Sequence, residues 1–202
     1  MVRRIVALWL LVTGSAVAGP FKETLARRER DDIIAAIQAA LPPVDQAAAK
    51  KCTDLMNEYN KDPDGKRDQL PVIARCYRAA GSLGASIIAW QQVERGNAKP
   101  ADQATAMREL AATYEAAGYF DKAASYLEKL ASAGASTSFR LEHVVVKDAD
   151  DLRLRALCIW RQLGDEDGAR RDTSYFNHLG RKTFDAEAAC ATLRPIAMPA
   201  KR

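Results

Sequence analysis

Apolar positions in this 202-residue chain recur every three or four residues, which is the spacing of amphipathic helices and not of strands. Ile33, Ile34, Ile37 and Leu41 set the face of a first helix over residues 21–41, which Pro42-Pro43 stops. A second helix is predicted over 44–60, ending at the turn-rich run Lys61-Asp62-Pro63-Asp64-Gly65. Val144-Val145-Val146 is the one β-branched run, too short to anchor a sheet and set between loop-like stretches. The pattern therefore predicts an all-α protein.

From Leu70 onward the helices come in pairs that repeat one another. Leu70, Ile73, Ala74 and Tyr77 form one apolar face, Gly81 breaks the chain, and Ile87, Trp90 and Val93 form the next. The same order returns as Met107, Leu110, Ala111 and Tyr114, then Gly118, then Ala123, Leu127 and Leu130. A third, weaker copy has Ala156, Leu157 and Trp160, then Gly164, then Ala169 and Phe176. In all three an aromatic precedes the glycine by four residues (Tyr77/Gly81, Tyr114/Gly118, Trp160/Gly164). A glycine ends a helix well because the left-handed conformation there costs little only without a Cβ. The aromatic one turn earlier faces the partner helix, and Ala74, Ala111 and Ala123 let the two helices approach closely. One such pair cannot bury its own apolar face, so neighbours must stack.

The stretch Met107 to Ala123, with its aromatic, its glycine four residues on and its alanine five further, resembles the tetratricopeptide-repeat family. Gly164 to Ala169 keeps the five-residue step, whereas the first copy carries Ser86 in place of the alanine. Successive glycines are 37 and 46 residues apart, with the excess of the second interval assigned to a loop over 132–147. The resemblance implies an α-solenoid of antiparallel helix hairpins over 70–193, with helices in 19–69 and a short helix over 185–193 as caps and a flexible tail at 194–202. It also implies a concave face lined by the first helix of each hairpin, where Arg75, Arg78, Arg108 and Glu115 are candidates to touch a partner.

Met1-Val2-Arg3-Arg4, the apolar run from Ile5 and the sequence Ala16-Val17-Ala18 read as a signal peptide over residues 1–18, cleaved near Ala18. Its 14-residue core falls short of the roughly 20 residues that span a bilayer, so no transmembrane segment is expected in the mature chain. Export places the protein in a periplasmic or secreted compartment, where Cys52, Cys76, Cys158 and Cys190 are disulfide candidates. Four cysteines allow three pairings. The repeat reading favours Cys52–Cys76 and Cys158–Cys190, because each would tie neighbouring helices. Removing Arg3 and Arg4 leaves 28 basic against 26 acidic residues, too balanced for a nucleic-acid partner.

Catalytic signatures are missing: no G-x-S-x-G, phosphate loop, G-x-G-x-x-G or H-E-x-x-H occurs, and His143 and His178 are the only histidines. His178 reads as a cap on helix carbonyls and His143 as a solvated loop residue. Neither stands at a ligand spacing, so no metal, cofactor or catalytic residue is assigned. Asn60 to Asp68 has oxygen ligands at alternate positions like a calcium loop, but Pro71 stands where a bidentate glutamate belongs. A turn with Asp68 as N-cap accounts for the same residues. Asp165-Glu166-Asp167 reads as charge favoured at a helix N-terminus. Trp90, Tyr114, Tyr126 and Trp160 are assigned to the core, while Tyr119 and Phe120 are not placed. The expected function is a non-enzymatic scaffold or adaptor holding another protein or peptide of the cell envelope. The alternatives are a small-ligand or calcium-responsive binding protein and, after it, an enzyme of unfamiliar site.

Overall fold

The structure, a computed structural model, describes residues 31–32, 34–96, 100–133, 139–141, 144–146, 148–179 and 184–193. The expectations for residues 1–18 and 194–202 and for His143 lie outside these.

Helices account for nearly all of the described chain. They are α1 (Gln46–Lys61), α2 (Leu70–Ala79), α3 (Leu83–Arg95), α4 (Pro100–Ala116), α5 (Phe120–Ser132), α6 (Ala149–Leu163), α7 (Glu166–His178) and α8 (Ala186–Thr192). A 3-10 turn, Arg67–Gln69, leads into α2, and residues 31–32 and 34–39 are also helical. Between α5 and α6 lies a feature the sequence pattern did not predict. Val144–Val146 is not loop but strand β2, paired antiparallel with β1 (Phe139–Leu141), with Arg140 opposite Val145. Three β-branched residues in a row favour extended backbone once a partner strand is within reach.

Each helix from α1 to α6 packs on the next, and α8 packs back on α6. The three pairs α2–α3, α4–α5 and α6–α7 are hereafter units 1, 2 and 3. Each is joined by a turn at Gly81, Gly118 or Gly164, with φ of 76°, 76° and 71°. These turns share one hydrogen-bond pattern. The residue after each glycine donates its N–H to the carbonyl of the aromatic four residues before the glycine: Ser82 to Tyr77, Tyr119 to Tyr114 and Asp165 to Trp160, each 2.9 Å. The glycine N–H itself reaches the carbonyl three residues back, on Arg78, Glu115 and Arg161. This double closure is the Schellman arrangement, in which two carbonyls left over at a helix end find partners.

The closure uses a carbonyl that every residue carries, so the aromatic at that position is a requirement of packing. Tyr77, Tyr114 and Trp160 are all buried, and so are Trp90 and Tyr126. Phe120 is buried and Tyr119 exposed. Ala74, Ala111 and Ala123 have no exposed surface, consistent with close helix approach. Ser86, the departure in unit 1, is fully buried and donates to the Ala74 carbonyl at 2.8 Å, so its hydroxyl is satisfied across the hairpin.

Four helices, α1, α6, α7 and α8, start on side-chain caps. Asp45, Asp148, Asp165 and Asp185 each accept a backbone N–H of the first turn. Asp68 is not the N-cap of α2: it lies within the 3-10 turn, and Gln69 precedes the helix without a side-chain cap bond. The preceding turn closes on itself instead, with Asp62 accepting from Gly65 N–H at 3.1 Å and Arg67 pairing with Asp64 at 2.8 Å.

Both disulfides join the pairs expected. Cys52–Cys76 ties α1 to α2 with Cα atoms 5.7 Å apart, and Cys158–Cys190 ties α6 to α8 at 5.2 Å. The residues before α1 differ from a simple end cap. The 34–39 segment lies over the Gly118 turn, with Ile37 Cγ2 3.1 Å from where a Cβ on that glycine would stand, and the link that follows passes the Gly81 turn, with the Val44 Cα 3.6 Å from the same point there. Asp45 N–H, bonded to the Ala80 carbonyl at 3.0 Å, fixes the chain between the segment and α1.

Two helical glycines test the packing with opposite signs. A Cβ on Gly84, in α3, would meet nothing within 4 Å, whereas one on Gly168, in α7, would stand 2.6 Å from the Trp160 indole. Gly84→Ala is expected to stabilise by about 0.5–1 kcal/mol through helix propensity. Gly168→Ala should destabilise by about 1–3 kcal/mol through overpacking, despite the same gain in propensity. Urea denaturation of both variants checks this, and two shifts of equal sign would contradict it.

Candidate functional site

Arg75 and Arg78, predicted to face a partner, both project from α2 onto Glu109 of α4, at 3.6 and 3.5 Å. Arg75 is mostly exposed and lies over the Trp90 ring at 5.5 Å; Arg78 is more covered. Arg108 donates to Thr105 on its own helix at 2.9 Å. Glu115 corrects the expectation. It is buried and forms an ion pair with Arg155 of α6, itself nearly inaccessible, so it is not displayed to a partner. The second bond of this pair, from Arg155 Nε to Glu115 Oε2, is 3.4 Å.

These two ion pairs occupy the same place in the repeat. Arg78 and Glu115 each stand three residues before their glycine, and Glu109 and Arg155 each stand nine before the next unit's. The unit 1–unit 2 bridge is therefore Arg to Glu, and the unit 2–unit 3 bridge is Glu to Arg, with the geometry kept and the charges exchanged. A second bridge repeats in the same way. Gln91, ten residues after Gly81, donates to the Tyr114 hydroxyl at 2.8 Å. Glu128, ten after Gly118, accepts from Trp160 Nε1 at 2.8 Å. An indole N–H is only a donor, so its partner here is a carboxylate; a phenol can accept, so its partner can be an amide. Tyr77 reaches back likewise, donating to Thr53 of α1 at 3.1 Å.

A groove of about 630 Å³ crosses the α3, α5 and α7 side and gathers six charged residues: Glu94, Glu128, Lys129, Arg153, Arg171 and Asp172. Each acid has a base: Lys129 lies 3.7 Å from Glu94, Arg171 3.6 Å from Glu128 and Arg153 3.1 Å from Asp172. Arg153 also donates to Ser132 and lies over the Tyr175 ring at 4.2 Å. Asp172 has no exposed surface, and among the described residues no donor reaches its Oδ2. Burial, and then the charge of Glu128, push the Asp172 carboxyl up to about 7 against the opposing pull of Arg153. Burial and the bond to Glu94 likewise raise the Tyr126 hydroxyl.

Glu109, Arg155, Gln91, Glu128 and Asp172 escaped the sequence reading. Aligning the units on their glycines would have revealed the exchanged charges, whereas the burial of Asp172 leaves no local signal. His178 meets its expected role, with Nδ1 2.7 Å from the Ser174 carbonyl at the end of α7. Asp165 caps α7, and Glu166 and Asp167 fill its first turn. Among the described residues no cluster of three or more His, Cys, Asp or Glu is placed to hold a metal ion, and no helix is long and apolar enough to cross a membrane.

Two predictions test this reading of the polar contacts. Glu115→Ala strands a buried guanidinium and should cost about 3–5 kcal/mol. Glu109→Ala, at a half-covered pair, should cost under about 1 kcal/mol. Calorimetry of the two variants separates them, and equal losses would refute the difference in burial. Asp172 holds its proton more tightly folded than unfolded, so its contribution to stability declines as pH rises from about 4 to about 7. Asp172→Asn lacks that decline, so its Tm relative to the parent should climb across this window; a constant difference would contradict it.

The chain matches no family pattern, no curated protein and no solved structure.

Proposed function

We propose that the protein is an exported helical-repeat adaptor of tetratricopeptide type, holding another protein or peptide of the cell envelope. The observation that carries this reading is the recurrence of the two inter-unit bridges at fixed distances from the turn glycines, although the bridging residues differ. Stacking of equivalent units is the property of a repeat array, whose extended faces suit recognition of chains. The step from array to adaptor is an analogy at the level of fold. Two disulfides support an oxidising compartment such as the periplasm or the extracellular space.

On this reading Arg75, the most open of the candidate residues, contacts an acidic stretch of the partner, with Arg78 and Arg108 beside it. Capture from the envelope extract of the source cell, read by mass spectrometry, should give one stoichiometric partner. The double variant Arg75→Glu/Arg78→Glu should lose it at least tenfold while keeping the parent's circular dichroism. A partner retained by the double variant, or none at several salt concentrations, would remove the reading.

A further inference from the structure

The helical segment at residues 34–39 is seated unlike the other helices. Ile34, Ile37, Gln38 and Leu41 are only half-buried and the rest of 35–40 is exposed, so no described residue of 31–41 is fully buried. Each of α1 to α8 buries at least one residue. Yet the segment covers a defined feature: Ile37 packs on the core, with its Cγ2 3.1 Å and the Gln38 Cγ 3.4 Å from where a Cβ on Gly118 would stand. The seat thus requires the side-chain-free surface of the unit 2 turn, and Tyr119 beside it is exposed.

The attachment is equally particular. Residues 42–45 belong to no helix or strand and include Pro42 and Pro43, and Asp45 N–H is pinned to the Ala80 carbonyl at 3.0 Å. Two consecutive prolines hold such a link stiff and extended. The Asp45 bond and the Cys52–Cys76 disulfide hold α1 in place independently of the contact at Gly118. Small apolar burial is the attribute of an element that opens locally without global unfolding.

We propose that the turn surface around Gly118 is a seat for a short apolar helix of a partner protein, and that residues 34–39 are its resident occupant, displaced when the partner docks. The resident defines the chemistry of its competitor: a short helix with branched aliphatic side chains at i and i+3, as at Ile34 and Ile37, separated by alanines and followed by a polar residue, as at Gln38. The proposal rests on the adaptor reading and names the kind of partner helix. Because the seat is tested with a segment of the chain itself, it can fail while the adaptor reading survives.

A fluorescein-labelled peptide of residues 30–45 is titrated into the protein and into its Ile37→Asp variant, with binding read by anisotropy. The vacated seat of Ile37→Asp should bind the peptide at least tenfold more tightly than the parent does. A peptide with Ile34 and Ile37 both changed to serine should not bind. Equal binding to both proteins, or none to the folded variant, overturns the proposal, as does a parent dimer that exchanges the segment between two copies. Hydrogen exchange of the parent gives a readout free of mutation: amides 34–40 should exchange at least a hundredfold faster than those of α5. Equal protection would mean a fixed part of the core and would end the proposal.

Discussion

The left-handed glycine is the constraint from which the rest of this structure follows. At Gly81, Gly118 and Gly164 the chain closes two hydrogen bonds, onto the carbonyls three and four residues back. The side chains at those same two positions make the contacts to neighbouring helices. Those four back, Tyr77, Tyr114 and Trp160, bond the preceding helix or unit, and at three back Arg78 and Glu115 bond the following one. Turn and stacking are thus set by one short stretch of chain. Any side chain in place of the glycine would strain the backbone and shift both bridges together.

The polar contacts add little net stability. The exposed pairs along α1 and α7, such as Lys50–Asp54 and Arg170–Asp167, each add at most about 1 kcal/mol. Glu115 and Arg155 lose their hydration, which their attraction offsets only in good geometry, and Arg155 Nη1 stays without a partner. Stability comes instead from the apolar layer of Ile73, Trp90, Leu110, Leu127, Leu130 and Ile159. A smaller apolar cluster of Leu157, Phe176 and Ala186 closes the far end, with Phe184 stacked on Phe176 at 4.5 Å. The seven-residue α8 is too short to persist alone, and the Cys158–Cys190 bond holds it there.

Much of the fold was legible because its signals are local. Glycine turns, aromatic spacing, proline stops and acidic helix starts act within a few residues, and the cysteine pairing followed once neighbouring helices were paired. The strand pairing of Val144–Val146 depends on a second segment whose own pattern is weak. Candidate site residues were legible only as positions on helix faces. Arg75 and Arg78 stand near an accessible surface, but Glu115 does not, because its burial is decided by Arg155, 40 residues further on. Periodicity places a residue on a face; it does not say what will cover that face.

The exchange of charges between the bridges makes the order of units part of the sequence. Unit 2 carries Glu115 and Glu109 at the two bridging positions, unit 3 carries Arg161 and Arg155, and unit 1 carries Arg78 and Val72. A second copy of unit 2 stacked on the first would set glutamate against glutamate, and a second copy of unit 3 arginine against arginine. Unit 1 on itself would leave Arg78 facing a valine. Of the possible orders of these three units only the one found in the chain pairs both joints, so each unit has an address, and lengthening by duplication of a single unit is disfavoured.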